Sequence, residues 1–284
     1  MTDVDGKFLY VANNMGHNVS VFAIDPTTGY LAPITGSPFA TNYNPKKLAM
    51  CPGGGFVAVG CSYVLNIFSR DQVSGALSNR QNFTFASGEE VKEVIFDMTG
   101  NYLYVAVSPG YIYVYGKNPD DTFAQIAGSP FATRPNPSDL AFGPEPEDDF
   151  LYVTSAGSTA MGYHSVNSNG SLGAATNINL SGQTTDCVIL GDIFYTNPAF
   201  NKLESYTINA NGTFSQIGSS LNFADYVDTL TVDPSEKHLY ITTWYTDDIW
   251  VLDINSDGTL TQPVDALLET GYDLTAMIIV KPAQ

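Results

Sequence analysis

Six short apolar triplets along the chain are each preceded by two residues, several of which could do chemistry. The triplets are LAM at 48–50, VIF at 94–96, LAF at 140–142, VIL at 188–190, LTV at 230–232 and IIV at 278–280. The first row of preceding residues, two positions ahead of the triplets, is Lys46, Lys92, Ser138, Asp186, Asp228 and Ala276. The second row, one position ahead, is Lys47, Glu93, Asp139, Cys187, Thr229 and Met277. Lysines in such rows can polarise a carbonyl or hold a carboxylate, and aspartates can move a proton.

The elements that must position these residues belong to a sequence repeat. The phrase GSPFAT occurs at 36–41 and again at 128–133, two periods of 46 residues apart. A Leu-Tyr-Val motif or a near equivalent returns at six places, from FLYVAN at 8–13 to HLYITT at 238–243, in steps of 42 to 48 residues. A regular period of this length indicates a repeat architecture.

Each repeat has the pattern of four short strands. In the third repeat the apolar runs are VKEVIFDM, YLYVAV, YIYVYGK and TFAQIA, separated by turns rich in Gly, Pro, Asn and Asp. Runs of this length and composition, broken by such turns, are typical of β-hairpins. The pattern predicts an all-β chain, a six-bladed β-propeller of four-stranded antiparallel blades, with seven blades as the alternative. We interpret residues 1–284 as a single propeller domain.

The two ends of the sequence predict how the ring of blades closes. The opening DGKFLYV has the pattern of a second strand with no first strand before it, and TAMIIVKP at 275–282 that of a first strand with no second strand after it. Pairing of the N- and C-terminal segments would complete one blade and remove open sheet edges.

The predicted site lies at one mouth of the central channel, where the innermost strands begin. Side chains alternate along a strand, so one row of residues faces the channel, and we favour the first row. From it we expect catalytic roles for Lys46, Lys92, Asp186 and Asp228. Loops from the same mouth and the second row form the expected pocket. The predicted substrate-binding residues are Lys47, Arg134, Asp139, His17, Tyr63, Tyr111 and Trp244.

Composition limits the classes of partner. Lys and Arg number 11 against 29 Asp and Glu, a formal charge of −18, which argues against nucleic acid and anionic membranes. No apolar run is long enough to predict a transmembrane helix. Met1–Tyr10 lacks the apolar segment of a signal peptide, and a chain trimmed of one would look the same. We therefore expect a soluble protein, cytoplasmic or secreted, and a monomer with a small-molecule substrate, no cofactor and no bound metal.

The units GSPFAT, PNPSDLAFGP, FLYVT and NVSVFAIDPTTGYL resemble the lactonase-type propeller family, which includes 3-carboxy-cis,cis-muconate cyclase and a 6-phosphogluconolactonase. The resemblance covers essentially the whole chain and implies the propeller fold, normally with seven blades. Family members usually carry Pro-His-x-His at the start of an inner strand. Here the matching positions are Asn-Pro-Lys-Lys at 44–47 and Asn-Pro-Ser-Asp at 136–139. No catalytic histidine carries over, so phosphogluconolactonase activity is not expected.

Three functions stay open. The leading hypothesis is a cofactor-independent cyclase or isomerase acting on a small unsaturated, partly hydrophobic substrate, as in natural-product cyclisation. The second is a non-catalytic propeller that binds a peptide, a glycan or a protein. The third is a metal-assisted lactonase in which Asp139, Asp186 and Asp228 hold the ion.

Overall fold

The computed structural model describes residues 1–144, 149–199, 201–246, 248–263 and 267–268, and these residues form 26 β-strands. No helix in the described part of the chain is long and apolar enough to cross a membrane. The strands divide into two compact units. Among the described residues, unit 1 contains 1–131 and 168–171, and unit 2 contains the others between 132 and 268. The prediction of a single domain over residues 1–284 stays a prediction.

Unit 1 contains three antiparallel sheets. The first sheet consists of β1 (Phe8–Asn13), β2 (Asn18–Ile24), β3 (Leu31–Pro33) and β4 (Phe39–Ala40). The second consists of β5 (Lys47–Met50), β6 (Phe56–Gly60), β7 (Val64–Arg70) and β8 (Leu77–Thr84). The third runs through β9 (Val91–Phe96), β10 (Tyr102–Val107), β11 (Tyr111–Lys117) and β12 (Phe123–Gln125), and β13 (Phe131–Ala132) follows.

Unit 2 repeats the arrangement with three further sheets. The first consists of β14 (Pro137–Gly143), β15 (Phe150–Ser155), β16 (Ala160–Ser165) and β17 (Thr176–Asn179). The second consists of β18 (Cys187–Leu190), β19 (Ile193–Thr196), β20 (Lys202–Ile208) and β21 (Phe214–Asn222). The third consists of β22 (Val227–Val232), β23 (His238–Thr243), β24 (Ile249–Ile254), β25 (Leu260–Thr261) and β26 (Leu267–Leu268). The all-β prediction and the four-stranded antiparallel blade are confirmed.

The core of each unit is built on the second strand of every sheet. All five residues of β6 are buried, as are five of the six in β10 and in β15, so both faces of these strands are covered. The fourth strands are exposed by contrast, as β8 shows after its first residue. Burial on both faces explains why the sequence there is a continuous apolar run rather than an alternating one.

Buried tyrosines donate hydrogen bonds to the carbonyls of glycine turns that belong to the same unit. The hydroxyls of Tyr10, Tyr104 and Tyr152 donate to the carbonyls of Gly75, Gly170 and Gly212, over 2.8, 2.9 and 3.0 Å. Each glycine lies in a turn with positive φ. A Cβ at Gly170 would lie 2.3 Å from the Tyr102 ring. Glycine is therefore required both for the backbone conformation and for the close approach of the turn.

The first residues of the chain are attached to the first sheet without forming a strand of their own. Residues 1–3 lie beside β1, where Thr2 forms a bridge with Leu9 and the Tyr10 amide donates to the Met1 carbonyl over 2.8 Å. Asp3 accepts from Arg70 over 2.6 Å in a buried ion pair. The bridge between Thr2 and Leu9 is isolated and no strand precedes β1 among the described residues, in keeping with the prediction that the chain opens without a first strand. The C-terminal segment expected in this place, 275–282, lies outside the described residues.

Candidate functional site

Three first strands carry a β-bulge at the positions where the sequence placed chemistry. Lys92 is the extra residue of β9, since Glu93 pairs with Ala106 and Val91 with Val107. In β14 and in β22 two residues likewise oppose a single residue of the next strand. A bulge re-aims its side chains and interrupts strict alternation. Residues of both rows can therefore point to the same side.

Asp139 and Asp186 come together in unit 2, although they belong to different rows. Asp139 Oδ2 accepts from the amide of Cys187 over 3.1 Å and from its thiol over 3.4 Å. Asp186 Oδ1 accepts from the same amide over 2.8 Å, and Asp186 Oδ2 accepts from the Leu230 amide over 2.7 Å. We call Asp139 and Asp186 the carboxyl pair. The shared amide explains why the two carboxyl groups are held against each other.

The environment of the carboxyl pair favours one shared proton. Burial, the nearby charge of Asp139 and a hydrogen bond to it raise the pKa of Asp186 well above its ordinary value. Two carboxylates in contact cannot both ionise without strong repulsion, so the pair keeps one proton to a higher pH than an isolated aspartate would. Both residues are half-buried. Such a pair can supply an acid and a base to the same reaction.

Asn197 fixes the backbone that carries Asp186. Its Oδ1 accepts from the amides of Thr185 and Asp186 over 3.1 and 3.0 Å, and its Nδ2 donates to the Val227 carbonyl over 2.8 Å. The Thr196 hydroxyl donates to the Asp186 carbonyl over 2.8 Å. Sequence reasoning missed Asn197. It directly follows the second strand β19, and nothing in that position distinguishes it from a turn residue.

The other two polar residues of the bulges in unit 2 have their own surroundings. The Ser138 hydroxyl is 2.8 Å from that of Thr154 and donates to the Thr184 carbonyl over 3.1 Å. Asp228 lies in the bulge of β22, whose Thr229 is hydrogen-bonded to Thr242 over 2.9 Å. In the described part of the chain, no group of three or more histidine, cysteine, aspartate or glutamate side chains could hold a metal ion.

The three predicted lysines form a compensated cluster in unit 1. Glu90 bridges two of them, with 2.8 Å to Lys46 Nζ and 2.6 Å to Lys92 Nζ, and Glu93 lies 2.6 Å from Lys47 Nζ. Hydrogen bonds from Lys46 and Lys92 lower the pKa of Glu90. We call these five residues the lysine–glutamate cluster. Each of its lysines already has a carboxylate partner and remains partly exposed. The prediction that these lysines and the aspartates line one cavity stays a prediction.

His17 is also in unit 1, and its ring nitrogen has a defined role. Nδ1 lies 3.1 Å from the Asn44 amide, and the ring packs on Tyr43 at 4.1 Å between centroids. A backbone amide can only donate, so Nδ1 accepts and the neutral ring carries its proton on Nε2. Tyr63 and Tyr111 are exposed residues of the same unit. No described hydrogen bond joins either of them to His17.

Arg134 and Trp244, both of unit 2, lie away from the hydrogen bonds of the carboxyl pair. Arg134 donates to the Ser158 hydroxyl over 2.6 Å and to Asn177 Oδ1 over 3.3 Å. Its Nε is buried with no hydrogen-bond partner among the described residues. Trp244 is 62% exposed. None of the three cysteines forms a disulfide, and all three are buried.

Comparison with known proteins supports the resemblance to the lactonase-type propellers. The model of the family described as "Lactonase, 7-bladed beta-propeller" matches residues 2–96. No curated protein sequence matches the chain. The described residues contain six sheets, against the seven blades in the family's description.

Solved structures share the fold at low identity. The periplasmic gluconolactonase of Pseudomonas aeruginosa aligns with a TM-score of 0.82 at 16% identity, over 95% of this chain and 84% of that one. A putative 6-phosphogluconolactonase from Bacteroides fragilis gives 0.81 at 19% identity, over 95% and 83%. The β-propeller domain of Cps50 (Swd1) from Myceliophteria thermophila gives 0.70 at 10% identity, over 96% and 86%. These likenesses establish the β-propeller fold and leave the chemistry to be argued from the site.

Proposed function

We propose that this protein hydrolyses a lactone, a cyclic ester, at the carboxyl pair Asp139–Asp186. The observation that carries the proposal is the desolvated pair itself, in which burial and Asp139 raise the pKa of Asp186. Support also comes from the lactonase family model over residues 2–96 and from the gluconolactonase among the similar structures.

The two carboxyl groups take different parts in the reaction. The base role falls to Asp139, because the raised pKa of Asp186 assigns the shared proton to Asp186. Asp139 removes a proton from a water molecule as the water oxygen attacks the lactone carbonyl carbon. Asp186 holds the shared proton and donates it to the carbonyl oxygen, which stabilises the charge that develops there.

The second half of the reaction opens the ring. The tetrahedral intermediate returns a proton to Asp186 as its carbonyl reforms, and the ring C–O bond breaks. Asp139 gives the proton it took from water to the departing alkoxide. One water is consumed, the product is an open-chain hydroxy acid, and the pair regains its starting protonation. This scheme accounts for the missing family histidine, because the pair supplies both the acid and the base.

The lysine–glutamate cluster weakens the case for the cyclase or isomerase hypothesis. That hypothesis gave Lys46 and Lys92 the task of binding a substrate carbonyl or carboxylate, and in the structure both lysines contact Glu90. Among the similar structures, one is named a periplasmic gluconolactonase and another a putative 6-phosphogluconolactonase. The non-catalytic alternative keeps some support, since the Swd1 domain shows that unrelated propellers share this shape.

Proton release during ring opening provides the test. Asp139→Asn, Asp186→Asn and the control Asp192→Asn, an exposed turn residue, are assayed in a pH-stat with glucono-δ-lactone and an unsubstituted aliphatic lactone. Spontaneous hydrolysis is subtracted. We expect hydrolysis by the wild type and by Asp192→Asn, and a loss of about 100- to 10,000-fold in each pair variant. Full activity in a folded Asp186→Asn protein would exclude the mechanism, and an inactive wild type would favour the binding alternative.

A further inference from the structure

Unit 2 presents three exposed aromatic side chains on two neighbouring loops. Tyr226 is 47% exposed, Trp244 62% and Tyr245 72%. Tyr226 lies on the loop between β21 and β22, and the other two lie on the loop between β23 and β24. We call these three residues the aromatic platform. Groups of exposed large aromatic side chains often mark binding surfaces, whereas single exposed apolar side chains are common on any protein.

The aromatic platform is preorganised by the backbone and by one buried carboxylate. The Trp244 amide donates to the Tyr226 carbonyl over 2.9 Å, which ties the two loops together. Asp225 Oδ2 accepts from the amides of Tyr245 and Thr246, each over 2.8 Å, and Asp225 Oδ1 accepts from the Tyr226 amide over 2.6 Å. The rings of Tyr226 and Tyr245 lie 5.5 Å apart between centroids at 52°. Little ordering entropy is therefore left to be lost when a ligand binds.

The charges around the aromatic platform are mainly negative. Residues 201–263 contain nine aspartates and glutamates and two basic side chains other than histidine, Lys202 and Lys237. Lys237 directly precedes β23, whereas Trp244 follows its other end. Asp225, Asp228 and Asp248 lie in or beside the two loops that carry the platform. The potential at this surface is negative, so it attracts cations and repels anions.

We propose that the aromatic platform binds the quaternary ammonium group of a small organic cation. Aromatic ring faces attract cations through their quadrupole, and tryptophan does so best. An alkylated ammonium is apolar and weakly hydrated, so it loses less on leaving water than the ammonium of a lysine does. The inference does not depend on lactone hydrolysis, because none of the platform residues takes part in that reaction.

Tryptophan fluorescence offers a direct test, since the chain has two tryptophans. Trp250 packs on Phe223 at 5.6 Å between ring centroids, and Trp250→Phe leaves Trp244 as the reporter. This variant is titrated with choline chloride, with neohexanol as the neutral isostere of choline, and with glucose, against matched sodium chloride. Calorimetric titration of the unaltered protein covers the case in which Trp250→Phe does not fold.

The proposal predicts the relative affinities that these titrations measure. We expect saturable binding of choline, at least about fivefold tighter than neohexanol, and weaker binding as sodium chloride increases. Tyr245→Ala should weaken choline binding about fivefold. Tyr30→Ala, which removes a tyrosine that is 79% exposed in unit 1, should leave it unchanged. Equal binding of choline and neohexanol, tighter binding of glucose, or no saturable signal up to about 0.1 M choline would overturn the proposal.

Discussion

The lysine–glutamate cluster of unit 1 and the carboxyl pair of unit 2 occupy the same places in their sheets, at the start of first strands. In unit 1 the charges alternate in sign, and the lysines meet Glu90 and Glu93 at 2.6 to 2.8 Å. In unit 2 two groups of like charge meet, and only a shared proton relieves their repulsion. The start of a first strand thus carries opposite charges that neutralise each other in unit 1, and two groups of like charge in unit 2. Unbalanced charge is maintained at a cost to stability, which is why it marks function better than charge alone.

The difference predicts opposite responses to pH. The pKa of Glu90 is lowered in the folded protein, so its contribution to stability is present above its unfolded pKa and is lost as the pH falls through the folded value. The pKa of Asp186 is raised, so its contribution is present below its unfolded pKa and is lost as the pH rises through the folded value. The predictions that follow use this contrast.

The largest expected effect is a non-additive loss of activity in the carboxyl pair. The two groups act on one proton, so the Asp139→Asn/Asp186→Asn double variant should lose no more hydrolysis than the worse single variant, about 100- to 10,000-fold. The rate of each protein is measured in the pH-stat. Losses that multiply would mean that the two carboxyl groups work separately.

The next effect is on thermal stability at high pH. The asparagine side chain in Asp186→Asn keeps a hydrogen-bond donor for Asp139 and never ionises. The melting temperature of this variant should therefore decline less than that of the wild type as the pH rises above the unfolded pKa of an aspartate. Melting curves from pH 4 upward, recorded for both proteins, check this, with Asp192→Asn as the control. A decline of the same slope in Asp186→Asn would place the titrating group elsewhere.

A smaller effect of opposite sign is expected from Glu90. Its side chain is 29% exposed, so Glu90→Gln should cost less than about 1 kcal/mol at neutral pH. The difference from wild type should disappear on acidification through the folded pKa of Glu90 and shrink in high salt. Urea unfolding at several pH values measures it. A difference that grows toward acid pH would contradict the assigned ion pairs.

The smallest effect should come from Lys92→Met. Lys92 is paired with Glu90 and partly exposed, and the proposed hydrolysis does not use it. We expect a change in lactone turnover of less than about threefold, the size of a weak surface ion pair. A loss as large as that of Asp186→Asn would return the lysines to the reaction and revive the cyclase or isomerase hypothesis.

The sequence predicted the strands of this protein more fully than its site. The recurring Leu-Tyr-Val motif marks second strands because they are buried on both faces, and no other element of a small sheet demands such a run. The bulge at Lys92 leaves no comparable trace, because one extra residue alters pairing and not composition. Strict alternation of side chains, which the two rows assume, therefore places Asp139 and Asp186 in different rows. The pairing of Lys92 with Glu90 did have a signal, since the stretch EEVKE alternates both charges.

The tyrosine hydroxyls that reach the glycine turns have a consequence for how the sheets come to depend on one another. The Tyr152 side chain is completely buried, and its hydroxyl donates a hydrogen bond to the carbonyl of Gly212, a turn residue of the following sheet. Burial of the Tyr152 ring and placement of the Gly212 turn are therefore coupled, because a buried hydroxyl without an acceptor is costly. Tyr195, fully buried, has a hydroxyl with no acceptor among the described residues. At that junction the mutual dependence is weakest, and local opening of unit 2 should begin there.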